Sequence, residues 1–301
     1  MVEKVIASIS DYTQSVCEMR EEVEKDSCFH EFELLFRGQA NKDYQLIPSI
    51  ARNRKTACQY TIFNDERNLI EMAKYKMPEV FRNDQLPLEL LALLQHHGIP
   101  TRLLDVTENA LVALYFACCN SDTMDGEVIV FKHENRDVTN YPVVNAIADS
   151  YRFTTGTWTQ LSHFFRDVKN QPYFLEQKQT HEVCHQNDEA GGKWIAECCE
   201  KIMYVYAPIR SMRQQVQQGR YILFPNHIEY ETWGEASFEW LIKEIPKDHE
   251  DIALRLLIPK EIKNQLLGDL AVLGISKEFL FCDSIDTVCK GIVDSFGRKY
   301  K

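Results

Sequence analysis

Apolar and polar positions follow two periods along the 301-residue chain, one typical of helices and one typical of strands. Apolar positions three to four residues apart predict amphipathic helices, and short runs rich in β-branched and aromatic residues predict strands. The predicted helices cover 10–26, 64–76, 86–97, 109–119, 260–273 and 284–296, and the predicted strands cover 33–37, 127–132, 201–206, 220–224 and 253–258. Because these elements do not alternate as regularly as in a doubly wound sheet, the pattern favours an α+β fold.

Capping residues mark several of these boundaries. Gly98 stands where a left-handed helix C-terminus favours glycine, and Pro100 prevents the helix from continuing. Gly274 is expected to end the helix over 260–273 in the same way. The strongly polar stretch 177–193 predicts an exposed loop.

The charge of the whole chain limits the classes of partner. A formal net charge of -11 argues against indiscriminate nucleic-acid binding, which needs a basic face. The basic run at 52–55 leaves room for a local basic groove.

The cysteines and apolar runs bear on location. Ten cysteines are scattered without a Cys-x-x-Cys pair, and the N-terminus reads as polar rather than as a signal peptide. The longest apolar run, 110–119, is too short to cross a bilayer. We therefore expect a cytoplasmic protein without membrane partners, with mostly free thiols.

The first candidate for chemistry is Arg37, at the end of a predicted strand and next to Gly38 and Gln39. A guanidinium offers a planar fork of donors to phosphate or carboxylate, and glycine lets a ligand approach the backbone. The plainer interpretation is a surface arginine at a strand end.

The second candidate is the polar stretch 95–117, which we interpret as a loop between two apolar helices. His96 or His97 ends one helix, and Thr107 or Asn109 can cap the next, whose free amide groups attract anions. The alternative is that Arg102 and Asp105 pair inside the fold and only fix a buried turn.

The third candidate is the glutamine-rich segment 210–224, in which Gln215 and Gln218 precede an apolar strand. Amide groups there can bind a nucleobase, a ribose or a carboxamide. The alternative is a solvated helix end capped by Gly219.

A zinc motif is the fourth candidate. His181, Glu182 and His185 match the His-Glu-x-x-His signature, in which both imidazoles share one helix face. The polar surroundings do not predict a buried helix, and Asp188 stands where the extended motif requires glycine. We therefore expect no metal site here, and a zinc hydrolase is the third functional hypothesis.

Taken together, these motifs resemble the FRG-domain family, named for a Phe-Arg-Gly motif. The resemblance extends over roughly 30–290. It departs from the family at Val106, where tryptophan is common, and at Cys282, where proline is usual. The matching residues are Phe36-Arg37-Gly38-Gln39, Leu46, Pro48, Ser49, Arg52, the stretch 95–117, Gln218-Gly219, Leu273, Ile275, Leu280, Phe281 and Asp283.

A more distant resemblance, to mono-ADP-ribosyltransferases, implies a fold and an activity. The implied fold is a mixed or split antiparallel sheet with flanking helices, and the implied substrate is NAD. Arg37 would hold the pyrophosphate, and His96, Thr107 and Asn109 would orient the nicotinamide ribose. Gly38, Gln39 and Arg102 would complete the set that binds NAD, and Gln218, Gln215 and His96 would occupy the catalytic positions. Glutamine carries no negative charge, so Glu229, Glu231 or Glu239 is an alternative source of the carboxylate.

The resemblance therefore predicts an NAD-dependent ADP-ribosyltransferase-like toxin or phage-defence effector. Its acceptor would be RNA, DNA or protein, and an antitoxin is an expected partner. The rival hypothesis is a non-catalytic nucleotide- or nucleic-acid-binding module. We expect an N-terminal helical segment over 1–29 and one compact FRG domain over 30–301.

Overall fold

The structure is a computed structural model that describes residues 2–26, 32–52, 60–119, 123–134, 142–154, 157–176, 182–208, 211–230 and 235–282. The helix predicted over 284–296 lies outside these ranges, as do His181, Arg210 and Glu231.

The described residues form a mixed seven-stranded sheet and a small three-stranded one. The strands are β1 Val2–Val5, β2 Phe32–Gln39, β3 Leu103–Thr107, β4 Gly126–Glu134, β5 Trp158–Gln160, β6 Met203–Val205, β7 Gly219–Leu223, β8 Ile228–Tyr230, β9 Ala236–Glu239 and β10 Ile252–Ile258. The large sheet has the order β1-β10-β4-β2-β3-β7-β6 and the small one β5-β9-β8. Only β1 and β10 run parallel, and the other described pairs are antiparallel.

Helices flank the large sheet. They are α1 Ile9–Asp26, α2 Glu66–Lys76, α3 Pro87–His96, α4 Ala110–Cys118, α5 Pro142–Ala148, α6 Leu161–Val168, α7 Pro172–Leu175, α8 Asp188–Cys199, α9 Met212–Val216, α10 Lys263–Val272 and α11 Lys277–Leu280. One sheet face packs on α1, α4 and α10, and the other on the irregular segments around Ile50 and Phe63. The predicted α+β class with a mixed sheet and flanking helices is confirmed.

Several local predictions need correction. The first predicted strand does not end at Gly38 but continues through Gln39. The stretch 95–117 is not a simple loop, because it contains β3. Part of the predicted loop 177–193 belongs to α8, which Asn187 caps by accepting a hydrogen bond from the Ala190 amide. The N-terminal segment is not helical throughout, since β1 joins the large sheet beside β10.

Two glycines allow α4 to lie unusually close to the sheet. A Cβ atom added at Gly38 would stand 1.8 Å from the carbonyl oxygen of Ala113, and one at Gly126 would stand 2.3 Å from that of Ala117. Gly38 and Gly126 belong to the neighbouring strands β2 and β4. The helix backbone therefore occupies the space that we expected Gly38 to leave open for a ligand.

The sheet opens between β2 and β3. Strand β2 pairs with β4 along all of its eight residues but with β3 only at Phe36 and Thr107. On the side of Arg37 and Val106 the two strands separate. A gap in the middle of a sheet exposes side chains that a continuous sheet would cover.

We predict that Gly38→Ala and Gly126→Ala each lower the free energy of unfolding by about 3 kcal/mol or more, because the added methyl group meets backbone atoms that cannot move alone. Gly268→Ala is the control, since Gly268 lies exposed in α10 with no atom within 4 Å of the new Cβ. Alanine there should stabilise the helix by about 0.5–1 kcal/mol. Equilibrium denaturation measures the free energy of unfolding of all three variants. If Gly38→Ala left that free energy unchanged, the close packing of α4 on the sheet would be contradicted.

Candidate functional site

The gap between β2 and β3 opens into a cleft of about 340 Å³. This volume falls within the range of about 300–1,000 Å³ that is typical of small-molecule sites. We call it the arginine cleft. Its lining residues are Arg37, Gly38, Arg52, Gln95, His96, Asp105, Val106, Thr107, Val112, Phe116, Arg213, Gln214, Gln217, Gly219, Arg220 and Tyr221.

Arg37 stands at the point where β2 and β3 separate. Its Nη1 donates a hydrogen bond of 2.6 Å to the main-chain carbonyl of Asp105, across the gap between the strands. Burial lowers the pKa of Arg37 to about 10, and the nearby charge of Asp105 partly opposes this shift. The guanidinium is therefore charged at neutral pH, in surroundings that solvate it poorly.

Two further arginines line the same cleft from other segments. Arg52 follows the 3₁₀ turn Ser49–Ala51, and its Nε donates to the carbonyl of Ile47 at 3.4 Å. Arg213 lies on α9, with its guanidinium 4.6 Å from the centre of the Phe281 ring. Within the described ranges, neither these two nor Arg37 forms an ion pair.

Arg220 contributes less net positive charge to the cleft than the other three arginines do. It pairs with Glu33 at 3.2 Å and with Glu108, and its guanidinium lies over the ring of Tyr206. The two carboxylates offset its charge. In a chain with a net charge of -11, the arginine cleft is thus a local concentration of positive charge.

A glutamine orients the carboxylate of Asp105 in the cleft. The hydroxyl of Thr101 donates to Oε1 of Gln95 at 2.5 Å, which fixes the orientation of the amide. Nε2 of Gln95 then donates to Oδ1 of Asp105 at 2.9 Å. Asp105 is therefore an exposed but oriented carboxylate, and it does not form the internal pair with Arg102 that was one of the two interpretations of the sequence.

The polar side chains of the turn into α4 form hydrogen bonds within the protein. Asn109 accepts hydrogen bonds from the amides of Leu111 and Val112, which confirms the predicted cap. The hydroxyl of Thr107 donates to the carbonyl of Gln217 at 2.6 Å and accepts from the amide of Asn109. Thr107 lines the cleft and ties its two walls together, whereas the Asn109 side chain is used for capping.

His96 lines the cleft at the end of α3, with Nδ1 3.4 Å from the hydroxyl of Ser211. Of the glutamines that follow, Gln214 and Gln217 line the cleft, but the predicted Gln215 and Gln218 do not. Gln218 has a φ of 46°, so it forms the left-handed position of the turn into β7. The predicted turn therefore borders the cleft through Gln214 and Gln217.

Arg102 lies outside the cleft, and the structure replaces its predicted ligand-binding role with a structural one. Its side chain is 0% exposed. Nε donates a hydrogen bond of 3.0 Å to the carboxylate of Glu66, and Nη2 donates a second one to the same group. Nη1 donates to Oδ1 of Asn226 at 3.1 Å. These contacts leave the guanidinium no access to a ligand.

Gln39 also lies outside the lining of the cleft, because its side chain is buried beside Glu127. In the amide orientation that satisfies both of its ends, its nitrogen donates to Oε1 of Glu127 at 3.0 Å. The glutamates considered as an alternative source of the catalytic carboxylate also lie elsewhere, since neither Glu229 nor Glu239 lines the cleft. They lie on β8 and β9 of the small sheet.

The described part of the zinc motif does not form the α-helix that the signature requires. Glu182–His185 is a 3₁₀ turn, and α8 begins only at Asp188. Among the described residues no group of three His, Cys, Asp or Glu side chains is arranged to hold a metal ion. In the same part of the chain, no helix has the length and apolarity needed to span a bilayer.

A larger cavity of about 470 Å³ lies near the starts of β2 and β6. Its lining mixes Lys132 and Lys201 with Glu200 and Asp251, so its charges largely offset one another. The charges that line the smaller arginine cleft do not offset one another, so we place the candidate site there.

Sequence reasoning missed three contributors to the cleft. Arg52 was recognised only as part of a basic run and of the family motif, and Arg213 only as a neighbour of the glutamines. Asp105 was considered only as a partner for Arg102. Spacing alone does not show that these residues meet, because they come from three separate segments.

Comparison with known families supports one part of this site. Residues 33–126 match the family model of the FRG domain, which confirms the predicted resemblance over that segment. The segment supplies Arg37, Arg52 and Asp105, whereas Arg213 lies beyond it. No curated protein and no solved structure matches the chain significantly.

We predict that Arg102→Met costs about 3–5 kcal/mol of unfolding free energy, because it leaves the buried carboxylate of Glu66 without its partner. Adding Glu66→Leu should recover most of this loss, since the double variant buries no unpaired charge. A double-mutant cycle by equilibrium denaturation measures the effect. If Arg102→Met were as stable as the original protein, the buried pair would not have the structural role assigned to it.

Proposed function

We propose that the arginine cleft binds a phosphate-bearing nucleotide, foremost NAD, and that the protein transfers ADP-ribose from NAD to a macromolecular acceptor. The observation that carries this proposal is the convergence of Arg37, Arg52 and Arg213 on one cleft without ion pairs among the described residues. Guanidinium groups bind phosphate oxygens in pairs, and they bind more strongly where water is partly excluded. A pyrophosphate would supply the negative charge with which these three arginines are not paired.

The position of the cleft supports NAD over other anions. Arg37 lies on an early strand, and the turn through Thr107 leads into α4, as in the mono-ADP-ribosyltransferases that the sequence resembles. His96 and Gln95 also line the cleft, and their side chains are of kinds that bind a ribose or a carboxamide. The FRG domain match over 33–126 is consistent with an effector or a nucleic-acid-related module. ADP-ribosyl transfer would suit a toxin or a phage-defence effector.

A second candidate function is nucleotide binding without turnover. It is favoured by one observation: the described lining of the cleft contains no glutamate, and glutamines occupy the turn between α9 and β7. A module of this kind would bind NAD or another nucleotide without releasing nicotinamide.

We predict that Arg37→Ala weakens NAD binding about 10–100-fold, the loss expected for one charge-assisted contact to phosphate. The NAD affinity of Arg37→Lys should lie between those of the original protein and of Arg37→Ala, because lysine keeps the charge but loses the planar set of donors. Isothermal titration with NAD and with ADP-ribose measures binding, and nicotinamide release in cell extract measures turnover. Arg82→Ala is the control, since Arg82 is largely exposed and lies outside the cleft.

Each outcome separates the two functions. NAD binding with nicotinamide release supports the transferase, and binding without release supports the non-catalytic module. Unchanged NAD affinity in Arg37→Ala, with Arg82→Ala as reference, would exclude the arginine cleft as the nucleotide site.

A further inference from the structure

Asp105 is the one carboxylate among the described residues that line the arginine cleft. It lies on β3, directly across the gap from Arg37 on β2. The glutamates considered from the sequence, Glu229 and Glu239, are on the small sheet. If the cleft performs chemistry that needs a negative charge, Asp105 is the described residue placed to supply it.

The carboxylate of Asp105 is held in one orientation. Thr101 is buried and fixes the amide of Gln95, which in turn donates to Oδ1 of Asp105. Among the described contacts, this is the single hydrogen bond to the carboxylate, so Oδ2 is left to the cleft. A chain of two hydrogen bonds that orients a surface carboxylate is characteristic of a prepared site, because an exposed aspartate needs no such support.

The arginines and the carboxylate remain separate although they share the cleft. Arg37 contacts the main-chain carbonyl of Asp105 and not its carboxylate. No ion pair joins Asp105 to any arginine in the described ranges. The cleft therefore has a positive part that fits phosphate and a separate negative part that fits a centre of developing positive charge.

We propose that Asp105 is the catalytic carboxylate of the arginine cleft and stabilises the positive charge that forms on the ribose when the nicotinamide bond breaks. This inference rests on the proposed function, namely that NAD binds in the cleft. It replaces Gln215 and Gln218, which do not line the cleft and carry no charge.

The reaction balances without any further reagent. The bond between C1 of the ribose and the nicotinamide nitrogen breaks, and its electron pair leaves with nicotinamide, which becomes neutral. Positive charge then spreads over C1 and the ring oxygen, next to the negative carboxylate of Asp105. A lone pair of the acceptor forms the new bond to C1, and the proton of the acceptor passes to the carboxylate and then to water.

Asp105→Asn tests this role, because asparagine keeps an oxygen that can accept from Gln95 but loses the charge. We expect nicotinamide release to fall about 100-fold or more. NAD affinity should stay within about threefold or become tighter, since NAD is itself an anion. Asp84→Asn is the matched control, because its carboxylate is exposed and lies outside the cleft.

Asp105→Ala allows a rescue experiment with formate, which would have no effect if Asp105 were merely structural. Added formate should restore part of the release rate in Asp105→Ala by supplying a carboxylate in the vacated space. It should leave the rates of the original protein and of Asp84→Asn unchanged.

The results distinguish this inference from the proposed function. If the original protein releases nicotinamide and Asp105→Asn retains at least about a third of that rate, the role of Asp105 is overturned while the proposed function stands. Loss of NAD binding with a lower melting temperature, and no rescue of Asp105→Ala by formate, would make Asp105 structural. If the original protein neither binds nor cleaves NAD, the proposed function and this inference both fail.

Discussion

The close packing of α4 on the large sheet is the contact on which the rest of the structure depends. Gly38 on β2 and Gly126 on β4 leave room for the helix backbone, and a methyl group at either position would collide with it. Because β3 runs directly into α4, the helix also fixes where β3 ends, at the single pair between Phe36 and Thr107. Beyond that pair the strands separate, so the packing of one helix determines where the arginine cleft opens.

Arg102 and the arginines of the cleft differ in their partners. Arg102 is fully buried and its guanidinium is satisfied by Glu66 and Asn226, so it stabilises the fold. Arg37 and Arg213 line the cleft, and their described contacts are the carbonyl oxygens of Asp105 and Gln39 and an aromatic ring. A charged group that is partly buried without an opposite charge is costly to the fold, and an anionic ligand would offset that cost.

The sequence predicts the parts of this arrangement that depend on local signals. The cap at Asn109 and the left-handed position at Gly98 follow from neighbouring residues, and the structure has both. Strand β3 escaped prediction because its five residues lie in a polar stretch and are defined by pairing with β7, distant in the chain. Arg102 was misassigned for a related reason: its partner Glu66 is 36 residues away, whereas Asp105 is its neighbour in sequence. Sequence spacing shows which residues are able to meet, and packing decides which of them do.

A crystal structure of the protein with bound NAD is the most direct test of the arginine cleft as the nucleotide site. We expect the pyrophosphate to lie at hydrogen-bonding distance, about 3 Å, from the guanidinium of Arg37, with Arg52 or Arg213 on its other side. The nicotinamide ribose should then face Asp105. NAD bound elsewhere, for instance in the larger cavity lined by Lys132 and Asp251, would contradict this placement.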